Sequence, residues 1–147
     1  MIKEQIKNYG VLFRNAIQSM PINEFPKSPF FDNFPTGCCG DTSNLFAKFL
    51  SSKGFVASYV WGLRKEQSHA WLEYKNIIID LTADQFPEVK EKVIVTANKA
   101  WHYQFRIQKR SIRDFETFEE YNANRLGIIY RNILSRLEHE EVHTKLL

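Results

Sequence analysis

Apolar positions recur at helical spacing at both ends of this chain and at alternating spacing in its middle. Ile2, Ile6, Tyr9, Phe13, Ile17 and Met20 fall on one stripe, which predicts a first helix stopped by Pro21. Residues 21–37 hold four prolines and Phe25, Phe30, Phe31 and Phe34, a composition that predicts an ordered loop pinned to the core by its aromatics. Leu45, Phe46, Phe49 and Leu50, closed by Gly54, predict a second helix over about 39–53. Phe55 to Trp61, bounded by Gly54 and Gly62, has strand composition, and Arg64 to Ser68 reads as a polar loop.

Next come His69-Ala70-Trp71-Leu72-Glu73-Tyr74, Lys75-Asn76 and Ile77-Ile78-Ile79-Asp80-Leu81-Thr82. Two alternating runs around a two-residue turn predict a hairpin in which Tyr74 faces Ile77, Trp71 faces Asp80 and His69 faces Thr82. Ala70, Leu72, Tyr74, Ile77, Ile79 and Leu81 then share one apolar face. His69, Trp71, Glu73, Ile78, Asp80 and Thr82 share the other. His69 and Asp80 become diagonal neighbours, roughly 5–8 Å apart at the backbone. A slip of one residue would send Asp80 to the opposite face. Val93–Val95 and Gln104–Ile107 read as further strands, and Phe115 to Glu141 as a closing helix striped by Leu126, Ile129, Tyr130, Ile133, Leu134 and Leu137. This order predicts a single α+β domain over residues 1–147 with an antiparallel sheet.

Composition narrows the class little. The 147 residues, 44% hydrophobic and 25% charged with a net charge of +3, suit one globular domain. The charge excess does not of itself point to nucleic acid or membrane. No signal-peptide core and no bilayer-length apolar run is present, which predicts a cytoplasmic protein, export without a cleaved signal remaining open. The two cysteines are adjacent, so they give no disulfide framework.

The chemistry concentrates at Gly37-Cys38-Cys39-Gly40-Asp41-Thr42-Ser43. A cysteine where a loop feeds a helix meets unpaired N–H groups and the positive end of the helix dipole, both of which favour thiolate. The same N–H groups can cradle an oxyanion. A nucleophilic cysteine needs a base and a group that orients the base, and Cys39, His69 and Asp80 can fill these roles. Asp84 is a second carboxylate within reach of the orienting role, and Asp41 reads as a helix cap. The competing structural reading makes the cysteine a small buried hydrophobe and His69 an ordinary hydrogen-bonded strand residue.

Phe34-Pro35-Thr36-Gly37-Cys38-Cys39-Gly40-Asp41-Thr42-Ser43, followed by His69-Ala70-Trp71-Leu72-Glu73 and Ile79-Asp80, resembles the Cys–His–Asp core of the transglutaminase-like, papain-like cysteine enzymes. The resemblance covers about residues 34–86. It implies acyl transfer from an amide of a protein or peptide through a thioester, ending in hydrolysis, deamidation or transamidation, with no metal or organic cofactor. The doubled cysteine departs from the pattern. Cys39 takes the nucleophile's place because Cys-Gly-Asp-x-Ser starts there, and Cys38 becomes a packing neighbour or resolving thiol. Gly40, at the helix start, and Gln85, as an amide donor, are candidates for oxyanion binding, and Trp71 for the cleft wall.

Two rival patterns remain. His139-Glu140-Glu141-Val142-His143 matches the H-E-x-x-H string of zinc hydrolases. Both histidines fall off the apolar stripe of their helix, and no good third ligand follows, so a chance match is the preferred reading. Lys99 to Arg113 interleaves Trp101, His102, Tyr103 and Phe105 with Arg106, Lys109, Arg110 and Arg113, as a nucleic-acid-binding module with an inert cysteine would. A strand with a solvated basic edge explains the same residues and is preferred. An acidic protein substrate could also dock there.

Overall fold

The structure, a computed structural model, describes the backbone of residues 1–146 and side chains through Glu138. Three helices, α1 (Ile2–Ser19), α2 (Cys39–Ser52) and α3 (Glu120–Leu146), accompany five strands: β1 (Ser58–Arg64), β2 (Gln67–Tyr74), β3 (Ile77–Asp80), β4 (Ile94–Thr96) and β5 (Arg106–Ser111). The strands form one antiparallel sheet in the order β4-β3-β2-β1-β5. The architecture is therefore α+β, as the element order predicted. Among the described residues, no helix is long and apolar enough to cross a membrane.

The central hairpin has the predicted register, with Tyr74 opposite Ile77 and Leu72 opposite Ile79. Lys75 and Asn76 both take positive φ, which a two-residue turn with the strands' own twist requires. Ala70, Leu72, Ile79 and Leu81 enter the main core with the buried stripes of the three helices. The loop over 21–37 lies against this core through stacked Phe25 and Phe31, 4.5 Å between ring centres. Gly37, at φ +74°, then turns the chain into α2 in a conformation that side chains rarely adopt.

Several boundaries differ from the sequence reading. Strand β1 runs through Gly62 to Arg64, and the supposed polar loop is a tight turn at Lys65-Glu66 joining β1 to β2. Gly62 does not end a strand. It sits at an irregularity in the β1–β5 pairing, where a Cβ would meet the Arg106 carbonyl oxygen at 2.9 Å. Its missing side chain lets Phe105 close over the sheet beside His69, which pairs with Gly62 across β1–β2. Strands β4 and β5 begin later than expected, and the segment preceding α3 contains a short 3-10 turn at Phe115–Thr117.

The second face of the sheet is buried too. Val60, Trp71 and Ile78 meet Phe86 and Phe105, with Trp101 packed beside them. Trp101, His102 and Phe105 of the basic stretch therefore pack inward, Tyr103 stays exposed beside Arg110, and Arg106, Lys109 and Arg110 line an exposed edge strand. This is the solvated basic edge; three of the four rings that could stack on bases are spent on the core, and the fourth, Tyr103, is engaged at the surface by Arg110. The side chains of His139 and His143 lie outside the described residues.

Two carboxylates are committed to structure. Asp84 holds the buried Arg14 guanidinium through two hydrogen bonds of 2.7 and 2.8 Å, and so is removed from the orienting role. Asp41 does not cap α2; its carboxylate grips Arg125 at 2.6 and 3.2 Å and ties α3 to the start of α2. In each case a buried guanidinium requires a planar, two-oxygen partner. Replacing Asp84 by alanine strands the Arg14 charge and is expected to cost about 3 kcal/mol. Urea denaturation measures it; an unchanged midpoint would contradict this role.

Candidate active site

Cys39 is the first residue of α2, with Cys38 at the preceding cap position. One residue of helix rotation gives the two thiols different surroundings. Cys38 is wholly buried and donates toward the carbonyls of Phe30 and Thr36 at 3.5 and 3.4 Å. Burial, with the charge of Asp41 added, pushes its thiol up to about 12. Cys39 is half-buried and opens on a cleft of about 270 Å³ lined by Tyr59, Trp61, Ser68, His69, Ala70 and Arg113. Burial also works against its thiolate, but hydrogen bonding and charge from His69, with the Ala70 backbone N–H, outweigh it and lower the pKa.

His69 stands near the start of β2 and joins the cleft to the second core. Its Nε2 lies 2.7 Å from Asp80 Oδ2, and both side chains are almost wholly buried. The strand register brings the two residues to the same face, and the turn after β3 fixes the carboxylate, whose Oδ1 accepts the Thr82 N–H at 2.9 Å. Burial disfavours the imidazolium. The Asp80 charge and hydrogen bond, helped by Cys39, overcome that penalty and raise His69 to about 9. Burial likewise opposes the Asp80 carboxylate, yet His69 and His102 hold it far below the ordinary carboxyl range. Cys39 and His69 thus shift toward each other, the pattern of a thiolate–imidazolium pair.

The structure brings Cys39, His69 and Asp80 together. It places the other sequence candidates differently. Gly40 lies at the helix start, where a Cβ would stand 3.2 Å from the Tyr59 hydroxyl, so its lack of a side chain lets the phenol approach Cys39. Gln85 comes from a 3-10 turn (Ala83–Gln85) and lies beside the imidazole, its amide nitrogen 3.3 Å from His69 Nδ1 and donating to Thr82 O at 3.1 Å. It is outside the set of residues that line the cleft. Trp71 is fully buried and does not wall the cleft. It lies on the sheet face covered by Phe105 and donates its indole N–H to Glu73 at 3.0 Å. Trp61 stands at the cleft instead.

Sequence reasoning missed His102, Tyr59, Trp61 and Arg113. Tyr59 and Trp61 carried a signal, since alternate residues of a strand share a face. Arg113, whose guanidinium lies 3.8 Å from the centre of the Tyr59 ring, carried none. His102 was seen only within the basic aromatic stretch; its Nε2 reaches the same Asp80 oxygen as His69, also at 2.7 Å. Ligand-type atoms of His69, Asp80 and His102 lie within 4.8 Å of one another, a spacing a metal ion could use. Both nitrogen–oxygen separations are hydrogen-bond lengths, however, so each Nε2 directs a proton at Asp80 and not a lone pair at an ion.

Among known proteins, the chain is 34% identical over 85 residues to a peptide-N(4)-(N-acetyl-beta-glucosaminyl)asparagine amidase of Eremothecium gossypii. The match takes in 54% of this chain and 23% of that amidase, so the chain spans about a quarter of the relative's length. No family model matches, and no solved structure matches.

The contrast between the thiols is directly measurable. Iodoacetamide near neutral pH is expected to carbamidomethylate Cys39 and spare Cys38 until the chain is unfolded. Peptide mass spectrometry reads both sites. Equal labelling of the native protein would contradict the environments described.

Proposed function

We propose that this chain is a cysteine-dependent amidase or acyltransferase of transglutaminase-like, papain-like type. Cys39 is the nucleophile, His69 the proton carrier and Asp80 the residue that orients it. The observation that carries this reading is the contact sequence at one cleft: a helix-start thiol lowered by an imidazole, and that imidazole raised by a buried carboxylate. The partial similarity to an amidase supports it.

In this mechanism Cys39 sulfur attacks the carbonyl carbon of an amide. The carbonyl π electrons move to oxygen, and the oxyanion is met by N–H groups at the start of α2 around Cys39–Gly40. The protonated Tyr59 hydroxyl is a further donor in reach of the cleft, its pKa raised mainly by burial. Collapse expels the nitrogen, which takes the proton from His69 Nδ1 and leaves as an amine, while the acyl group remains as a thioester. His69, now neutral, removes a proton from water or an amine. That nucleophile attacks the thioester and releases Cys39 as thiolate, with His69 again protonated. Throughout, Asp80 accepts the Nε2–H and keeps Nδ1 turned to the chemistry. Gln85 Nε2 can donate to Nδ1 only in the step where His69 is neutral.

The substrate class is an amide of a protein or peptide. The relative's name places its bond at a glycosylated asparagine, and a glycopeptide bearing N-acetylglucosamine on asparagine is the first substrate to assay. Transfer of glutamine side-chain amides to an amine is the second.

Cys39→Ala is expected to abolish turnover, while Cys38→Ala retains it. The rate should follow a bell in pH. It rises as Cys39 ionises, below the ordinary thiol value of 9.0, and falls as His69 loses its proton near 9. Initial rates across pH 4–11 check both limbs. Full activity in Cys39→Ala would defeat the mechanism.

A further inference from the structure

Asp80 makes a contact for which orienting His69 supplies no reason. His102 lies 22 positions beyond Asp80 in sequence, on a short turn (His102–Gln104), and its side chain is buried. The ring is wedged edge-on against Trp71 and Trp101, at 5.0 and 4.7 Å between centres. An apolar ring would fill that slot as well. Instead its Nε2 donates to Asp80 Oδ2, the oxygen that also accepts from His69. Oδ1 is meanwhile held by the Thr82 N–H. A carboxylate with both oxygens engaged from two further elements cannot rotate about its terminal bond without breaking a hydrogen bond.

We propose that His102 is a positioning residue for the cysteine chemistry: by donating to Asp80 Oδ2 it fixes the carboxylate that receives the Nε2–H of His69, so that His69 Nδ1 stays presented to Cys39. This rests on the reading of Cys39, His69 and Asp80 given above. The polar and titratable groups that face the His69 ring are Cys39 from α2, Asp80 from β3, Gln85 from the 83–85 turn and His102 from the 102–104 turn, the rest of its surroundings being the rings of Trp71, Phe86, Trp101 and Phe105. The nearby Arg64, stacked on Phe105, is paired with Glu88 at 2.9 Å. Among the described residues, His102 is thus the side chain that shares Oδ2 of Asp80 with His69 while standing away from the Nδ1 edge, the other oxygen being held by Thr82.

The test compares His102→Phe, which keeps an aromatic ring in the slot and deletes the donor, with His102→Gln, which keeps an N–H. In each, the titration of His69 is followed by NMR on histidine labelled with nitrogen-15, and the pH dependence of Cys39 carbamidomethylation is measured by mass spectrometry. Thermal unfolding monitors the fold. In His102→Phe the His69 midpoint is expected to fall by about one unit and the Cys39 midpoint to rise. Alkylation on the acid limb then slows about tenfold, the change in thiolate fraction that one unit brings. His102→Gln should recover most of both. A folded His102→Phe with the wild-type His69 titration and alkylation profile overturns the proposal. So does a His102→Gln no better than His102→Phe. If His102→Phe does not fold, His102→Leu takes its place as the variant without a donor, and the same contrast with His102→Gln decides. Should Cys39 of the wild type prove unreactive, the enzyme reading fails, while the His69 titration still reports on the link through Asp80.

Discussion

A carboxylate taken out of water costs several kcal/mol unless every lone pair that matters is met. Asp80 is such a group, and much of the fold is arranged to meet it. The β2–β3 register delivers His69, the turn after β3 delivers the Thr82 N–H, and the long excursion between β4 and β5 delivers His102. That excursion also brings Trp101 and Phe105 over the sheet and seals the carboxylate from solvent. A one-residue slip in the hairpin would send Asp80 to the helix-covered face, leave both histidines without an acceptor, and bury an unpaired charge in the main core.

The electrostatics of the cleft descend from that buried charge. Asp80 raises the affinity of His69 for a proton against the penalty of burial, and the charged imidazole in turn favours thiolate on Cys39. The chain of influence runs from core to cleft through one ring. It also explains why the surroundings of two adjacent cysteines push their thiols in opposite directions. Cys38 faces carbonyl oxygens and the Asp41 charge, whereas Cys39 faces a cation and an N–H. Identity of residue type decides nothing here; a single step along the helix does.

Ion pairs elsewhere keep the two cleft-forming elements in place. Arg125 joins α3 to Asp41 and Ser28 at the entry to α2, and Arg14 joins α1 to Asp84 just beyond β3. Both are buried guanidiniums on bidentate acceptors, and each anchors the backbone within two to four residues of a candidate site residue, Cys39 in one case and Asp80 in the other. The acidic residues that sequence reading offered as a cap and as a substitute triad member are thus supports for the site. Nothing in their local sequence distinguishes these duties, because the arginines that claim them lie 84 and 70 positions away.

What the sequence determined by itself was whatever depends on local periodicity. Alternation around Lys75-Asn76 set the hairpin register, and with it the shared face of His69 and Asp80. The apolar stripes set the helices, and Gly37 followed by polar residues set the loop-to-helix turn that presents Cys39. Tertiary structure decided which groups meet across distance. It turned Trp71 into core and brought Trp61 to the cleft, because the 86–105 segment covers one face of the sheet and not the other. It gave Asp84 and Asp41 to arginines, and it carried His102 from a stretch that reads as a basic patch to the buried carboxylate. Periodicity constrains which way a side chain points within its own element, but the partner that satisfies a buried polar group is chosen by chain crossings that no local pattern encodes.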